Sequence, residues 1–189
     1  MSARTPKLFV VSGPSGAGKG TLVAQVRTQR PDLGLTVSAT TRQPRPGEID
    51  GVSYHFLTVE DFDARVQAGE FLEWANVHGN RYGTLFSEVT RNLEAGHSVI
   101  LEIDVQGALN VRKVYPEAVL VFIEPPSMEV LEQRLRGRGT EDEASVKLRL
   151  ADAAQEMELA SAYDERIVND ELDAAVARLA AVLESHEMN

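Results

Sequence analysis

The chain contains no cysteine, which excludes disulfides, thiolate metal sites and cysteine nucleophiles together. It also lacks any apolar run of membrane-spanning length. The run Leu8-Phe9-Val10-Val11 that follows Arg4 and Lys7 is too short for a signal-peptide core. Nothing asks for an oxidising compartment, so a soluble, cytoplasmic protein with no membrane partner is expected. Basic residues are scarce: 19 Lys and Arg stand against 29 Asp and Glu, a formal charge of -10. Such a field repels nucleic acids, so an anionic substrate must be gripped by local clusters, and the position of each arginine becomes informative. Internal repeats, low-complexity tracts and interdomain linkers are missing too, and 189 residues suffice for one domain with a continuous core.

Glycine, by contrast, is concentrated where it matters. Gly13-Pro14-Ser15-Gly16-Ala17-Gly18-Lys19-Gly20-Thr21 follows the apolar run directly. A buried strand running into a glycine-rich turn lets backbone amides converge on phosphate oxygens, because few β-carbons intervene. A helix is expected to begin near Lys19; its N-terminal amides and dipole favour an anion, and the Lys19 ammonium adds a full charge on the β/γ-phosphates. The pattern G-x-x-x-x-G-K is complete over Gly13, Gly18 and Lys19, but Gly20 stands where Ser or Thr usually serves magnesium, and Thr21 comes one place late.

Downstream, Leu22, Val23 and Val26 recur at helical spacing until Pro31-Asp32. Leu35-Thr36-Val37 reads as a short strand and Ser38–Glu48 as a proline-stiffened loop presenting Arg42 and Arg45. Tyr54–Phe56 is extended, Thr58 with Asp61 opens a helix closed by Gly69, and Phe71–Val77 and Tyr82–Thr84 are strands flanking a turn. A helix over Ser87–Glu94 follows. The unalternating runs Val99–Asp104 and Ala118–Ile123, a strand near Ile167, and intervening helices, one opened by Pro125-Pro126-Ser127, indicate α/β architecture with a parallel sheet covered on both faces. Arg134, Arg136 and Arg138 cluster around Gly137 and Gly139, Lys147 and Arg149 follow, and an apolar stripe from Leu172 to Leu183 marks a closing helix.

Three constellations carry chemistry. Asp104 ends a buried strand, a place for a carboxylate serving magnesium or its waters, though a strand-terminal Asp is more often a turn or helix cap. Arg42 and Arg45 suit a bidentate clamp for a second phosphate, or are solvated loop arginines. Tyr54 and Tyr82 offer hydroxyl donors to the same anion, or strand packing.

Ser38–Glu48, Glu73-Trp74-Ala75, Gly79–Thr84, Ile103–Gly107 and Arg134–Thr140, in that order, resemble the guanylate kinase family, and the similarity runs from about residue 8 to residue 183. The resemblance implies transfer of the γ-phosphoryl group of ATP to GMP with magnesium, and no protein partner. It implies a single domain with a core about 7–37, 97–133 and 164–185, a GMP-binding lobe about 38–96 and an arginine-rich lid about 134–163. By the same resemblance Arg42, Arg45, Tyr54 and Tyr82 hold the GMP phosphate. Ser38, Glu73, Thr84 and Asp104 address the guanine, with Glu102 nearby. Lys19, Arg134, Arg138 and Arg149 bear on the transferring group, Arg138 reaches the adenine side, and Asn169 lies beside the adenine.

Glu73 makes chemical sense there, since guanine presents N1–H and N2–H₂ donors that a carboxylate accepts, in a setting that Phe71 and Trp74 are expected to make partly apolar. The chain departs from the family at Gly20, which resembles the adenylate kinase ending, and at Glu102, where Asp is frequent. Magnesium is then expected to rely on phosphates and water, with Asp104 or Thr21 as possible protein contacts. Two alternatives are a non-catalytic interaction module, which usually loses loop or clamp residues that are all present here, and a kinase for another phosphorylated acceptor.

Overall fold

The structure, a computed structural model, describes residues 4–77, 79–137 and 143–188. Strand β1 (Leu8–Ser12) is buried along its whole length. It lies between β6 (Val99–Glu102) and β7 (Val119–Glu124), and β8 (Glu165–Val168) completes the parallel order β6-β1-β7-β8. Both faces of these strands are covered, which explains their unalternating sequences. Phe9, Val11, Val119, Val121 and Ile123 pack with α1 (Lys19–Gln29) and α7 (Leu172–Glu187) through Leu22, Val26, Leu179 and Leu183. Leu8, Val10, Leu120 and Phe122 face the opposite way, onto α4 (Val105–Val114) through Val105, Ala108 and Val111.

A second sheet has the order β3-β2-β5-β4, formed by β2 (Ala39–Thr40), β3 (His55–Phe56), β4 (Phe71–Val77) and β5 (Asn80–Leu85). Helix α2 (Val59–Gln67) covers it; the Thr58 hydroxyl accepts from the Asp61 N–H at 3.0 Å, so the expected cap forms. Helix α3 (Phe86–Glu94) leads back to β6. After β7, α5 (Met128–Arg136) begins at the Ser127 cap and packs on α6 (Glu143–Glu158) through Leu131, Leu135 and Ala153, and a short 3-10 turn at Leu159–Ala162 returns the chain to β8.

Two expectations are corrected. Leu35–Val37 is not a strand; only Gly34 bridges β6, and the regular pairing starts at Ala39. The backbone there is satisfied by side chains of α3: the Val37 N–H donates to Glu88 Oε2 at 2.9 Å, and Asn92 Nδ2 donates to the Leu35 carbonyl at 2.8 Å. Trp74 does not shield Glu73 either. A bulge between Phe71 and Glu73 shifts the register of β4 on β5, so Phe71 and Trp74 both meet Phe62 of α2, at ring centroid distances of 4.3 and 6.1 Å. Glu73 is left on the other face.

Candidate active site

The phosphate loop is held in shape by what its glycines leave out. Gly13 has φ 137°, and a β-carbon there would stand 2.2 Å from the Ile123 carbonyl oxygen. Gly18, at φ 92°, starts α1, and a β-carbon there would meet Asn169 Nδ2 at 2.4 Å. Asn169 is buried and donates from that same nitrogen to the Ala17 carbonyl at 2.7 Å. Its side chain therefore props the loop from below. Lys19 Nζ donates to the carbonyls of Gly13 and Pro14, at 2.6 and 3.1 Å, so the ammonium rests where the loop curls.

Two arginines reach this loop from the following helices. Arg149 Nη1, on α6, donates to Ser15 Oγ at 2.8 Å, and Arg134 Nη2, on α5, donates to the Asn169 carbonyl at 2.9 Å. Arg138 lies outside the described residues. A cavity of about 320 Å³ opens over Ser15, Lys19, Gly20 and Thr21, with Glu102 as its far wall.

A second cavity, of about 300 Å³, lies between the two sheets, and its lining includes Ser38, Tyr54, Glu73, Tyr82, Thr84, Glu102 and Asp104. The Thr84 hydroxyl donates to Glu73 Oε1 at 2.7 Å. Burial raises the Glu73 carboxyl above the usual carboxylate range; the Thr84 hydrogen bond opposes the rise and the Asp104 charge adds to it. Asp104 does two jobs here: it lines this cavity and caps α4, its Oδ1 accepting from the Gly107 N–H at 2.7 Å.

Arg42 stands beside the cavity, its guanidinium 5.3 Å from the Tyr54 ring centroid and paired with Glu48 at 2.8 and 3.0 Å. Glu48, and then Tyr82, raises the pKa of Arg42 further. The Arg45 side chain is exposed, and its N–H donates to the same Glu48 carboxylate at 2.7 Å. Neither arginine lines the cavity itself, but Glu48 holds Arg42 over the pair Tyr54 and Tyr82, whose rings meet edge to face at 6.0 Å.

Glu156 of α6 was not singled out from the sequence. Burial raises its carboxyl above the ordinary range, and the Lys19 charge pulls the other way; the side chain lines a separate cavity with Val105, Gln106 and Asp152. The signal was the like-charge pair Asp152 and Glu156 at i,i+4, which is unfavourable on a free helix surface.

Glu102 belongs to both cavities. A loop built for a polyphosphate and a pocket built for a hydrogen-bonding ring with an anionic end thus share one wall. The sequence matches the guanylate kinase family over residues 5–186.

The chain belongs to that family.

Guanylate kinases from Desulfitobacterium hafniense and Gloeobacter violaceus are 49% and 50% identical over 176 and 177 residues, spanning 93% and 94% of this chain and 88% and 86% of theirs. The crystal structure of guanylate kinase from Anaplasma phagocytophilum superposes with a TM-score of 0.72 at 32% identity, over 100% of this chain and 90% of that one. A shikimate kinase from Bacteroides thetaiotaomicron, at 19% identity and a TM-score of 0.50 over 94% of this chain and 98% of that one, shares the fold alone. The guanylate kinase fold is thus the α/β parallel-sheet architecture expected from the sequence.

Proposed function

We propose that the two cavities are the donor and acceptor halves of one phosphotransfer site. The chain is a guanylate kinase, an ATP-dependent enzyme that phosphorylates GMP. The observation that carries the assignment of its residues is the shared wall at Glu102, which brings the end of a phosphate loop and the end of a base-sized pocket together.

In this reading Gly13–Thr21 cradles the β- and γ-phosphates, and Lys19 leaves the carbonyls of Gly13 and Pro14 to follow the γ-phosphoryl group. Arg42, Arg45, Tyr54 and Tyr82 take the GMP phosphate, which replaces Glu48 as the partner of Arg42. Glu73 accepts from guanine N1–H and N2–H₂, with Ser38, Thr84, Glu102 and Asp104 completing the pocket. Adenine would set its N1 acceptor against the Glu73 carboxylate, leaving a half-buried charge unpaired. Thr84 matters because it holds Glu73 both in place and towards its charged form.

The nucleophile is an oxygen of the GMP phosphate, whose second pKa of about 6 leaves it largely dianionic at neutral pH. It bonds to the γ-phosphorus while the bond to the bridging β-γ oxygen breaks and ADP departs. No side chain has to remove a proton, so catalysis rests on alignment and charge neutralisation. Arg134, Arg138 and Arg149 would supply charge as segment 134–163 closes over the core, with segment 38–96 carrying GMP inward and water excluded.

The donors facing the loop cavity suit Mg²⁺: the Thr21 hydroxyl and the Glu102 carboxylate are hard oxygens. Among the described residues no cluster of three acidic or His side chains is assembled, so phosphates and waters would fill most of the coordination sphere. When bound, the ion neutralises charge developing on the β- and γ-oxygens. No helix among the described residues is long and apolar enough to cross a membrane, and a free-nucleotide substrate suits the cytoplasm, the compartment we assign.

The test is an ADP-release assay with ATP and Mg²⁺ against GMP, AMP, UMP and CMP. GMP alone is expected to turn over rapidly; comparable rates for AMP and GMP would refute the base-recognition roles.

A further inference from the structure

Glu88 of α3 is buried, 5% exposed, yet it lines neither the donor nor the acceptor cavity. It sits behind the second sheet, on a separate cavity of about 300 Å³ shared with His55, Arg65 and Ser87. Its Oε2 accepts from the Val37 N–H at 2.9 Å and from Arg91 Nη2 at 2.8 Å, and its Oε1 lies 3.3 Å from His55 Nε2. A carboxylate only accepts, so the His55 proton is on Nε2. Among the described residues, neither the Val37 N–H nor the His55 ring has another hydrogen-bond partner. Both groups are chain neighbours of residues that line the acceptor cavity: Val37 precedes Ser38, and His55 follows Tyr54. Successive residues of extended chain point to opposite faces, so what Glu88 grips at the back fixes what stands at the front. The backbone joins the two segments only slightly. Strands β2 and β3 pair over two residues each, and the Ser38 carbonyl accepts from the His55 N–H at 2.9 Å.

We propose that Glu88 is a positioning residue for the acceptor nucleotide. By holding Val37 and His55 from behind the sheet it fixes Ser38 relative to Tyr54, and so sets the span from guanine to phosphate that the pocket accepts. It touches neither substrate and has no part in binding the donor. The inference rests on the acceptor-site reading of the front cavity.

The experiment measures kcat and KM for GMP and for ATP in Glu88→Ala, Glu88→Gln and His55→Phe, and in the pair Ser38→Ala with Tyr54→Phe, made with and without Glu88→Ala. A hydrogen bond to a charged acceptor contributes roughly tenfold or more to an equilibrium, so Glu88→Ala is expected to raise KM for GMP about tenfold. Lost positioning of one substrate leaves KM for ATP, and kcat at saturating GMP, within about threefold of wild type. Glutamine should bring KM for GMP back to within about threefold, its amide oxygen accepting from Val37 and its NH₂ donating to Nε2 of the other His55 tautomer. His55→Phe releases only the Tyr54 side and should raise KM for GMP about threefold, the smaller share of the loss; it decides the matter if Glu88→Ala fails to fold. Residues that act through one another are not additive, so on the Ser38→Ala, Tyr54→Phe background Glu88→Ala should add no more than about twofold. A rise in KM for ATP equal to that for GMP, no recovery with glutamine, an unmoved KM in His55→Phe, or a fully additive effect on that background would overturn the positioning role while leaving the acceptor site intact. An unchanged KM for GMP in the Ser38→Ala, Tyr54→Phe pair itself would overturn the acceptor-site reading.

Discussion

Replacing Glu73 with glutamine separates recognition from stability. In the acceptor pocket the Glu73 carboxylate accepts from two guanine donors and from the Thr84 hydroxyl at 2.7 Å. Glutamine keeps one carbonyl oxygen but turns an NH₂ donor towards the other guanine donor, so one hydrogen bond to a charged acceptor is lost. Such bonds contribute about 1.5–3 kcal/mol, which is roughly 10- to 150-fold in kcat/KM for GMP. AMP gains nothing from the carboxylate, so the preference for GMP over AMP should shrink by the same factor in a coupled assay. Stability should move the other way. Burial raises the Glu73 pKa on folding, so the folded state binds the proton more tightly than the unfolded chain. The stability this contributes is full below the ordinary carboxylate range and lost as pH rises through the raised value. At pH 7 Glu73→Gln should therefore melt at or above the wild-type temperature without ligand, and wild type should gain on it as the pH falls. An unchanged nucleotide preference would refute the role given to Glu73, and a melting point several degrees lower would refute its electrostatic description.

Lys19→Met should lower kcat by at least about 10²–10³-fold, the loss typical of removing one preorganised donor to developing charge, with an unaltered circular dichroism spectrum; retained turnover would contradict the phosphate-loop assignment. Thr84→Val removes the group that holds the Glu73 pKa down, so the acidic limb of the kcat/KM profile for GMP should move to higher pH, and a profile that stays put counts against the pairing. Glu187, 1% exposed and bonded to Arg30 at 3.0 and 3.1 Å, ties α7 to the end of α1. Glu187→Ala should destabilise the chain by about 3 kcal/mol in urea titration, near the low end for a broken buried pair because Asp32 still partners Arg30; a change below measurement error would show the clasp to be dispensable.

The parallel sheet was legible because its strands are apolar on both faces, as in Val119–Ile123, and because Thr58 and Ser127 announce helix starts by local hydrogen bonding. The irregular parts are set by distant side chains. Leu35–Val37 has strand-forming residues, yet Glu88 and Asn92, more than fifty positions later, take its backbone groups. The bulge at Phe71 and Glu73 breaks the period of two, so the aromatic neighbours of Glu73 turn away from it. Within the site, motif residues read from the sequence share two cavities, but Asn169 serves the loop through Ala17, and Glu156 of α6, buried enough for its carboxyl to be raised, was marked only by its like-charge neighbour Asp152. Such contacts depend on how α6 and β8 lie against β1, which local pattern does not encode.

The central claim is that one wall separates donor and acceptor, and a crystal structure with GMP and a non-hydrolysable ATP analogue tests it most directly. The account predicts the γ-phosphate over Lys19 and the GMP phosphate beside Arg42, Tyr54 and Tyr82, facing one another across Glu102 with guanine against Glu73 and Thr84. GMP bound elsewhere, for instance in the separate cavity beside His55 and Glu88, would contradict it.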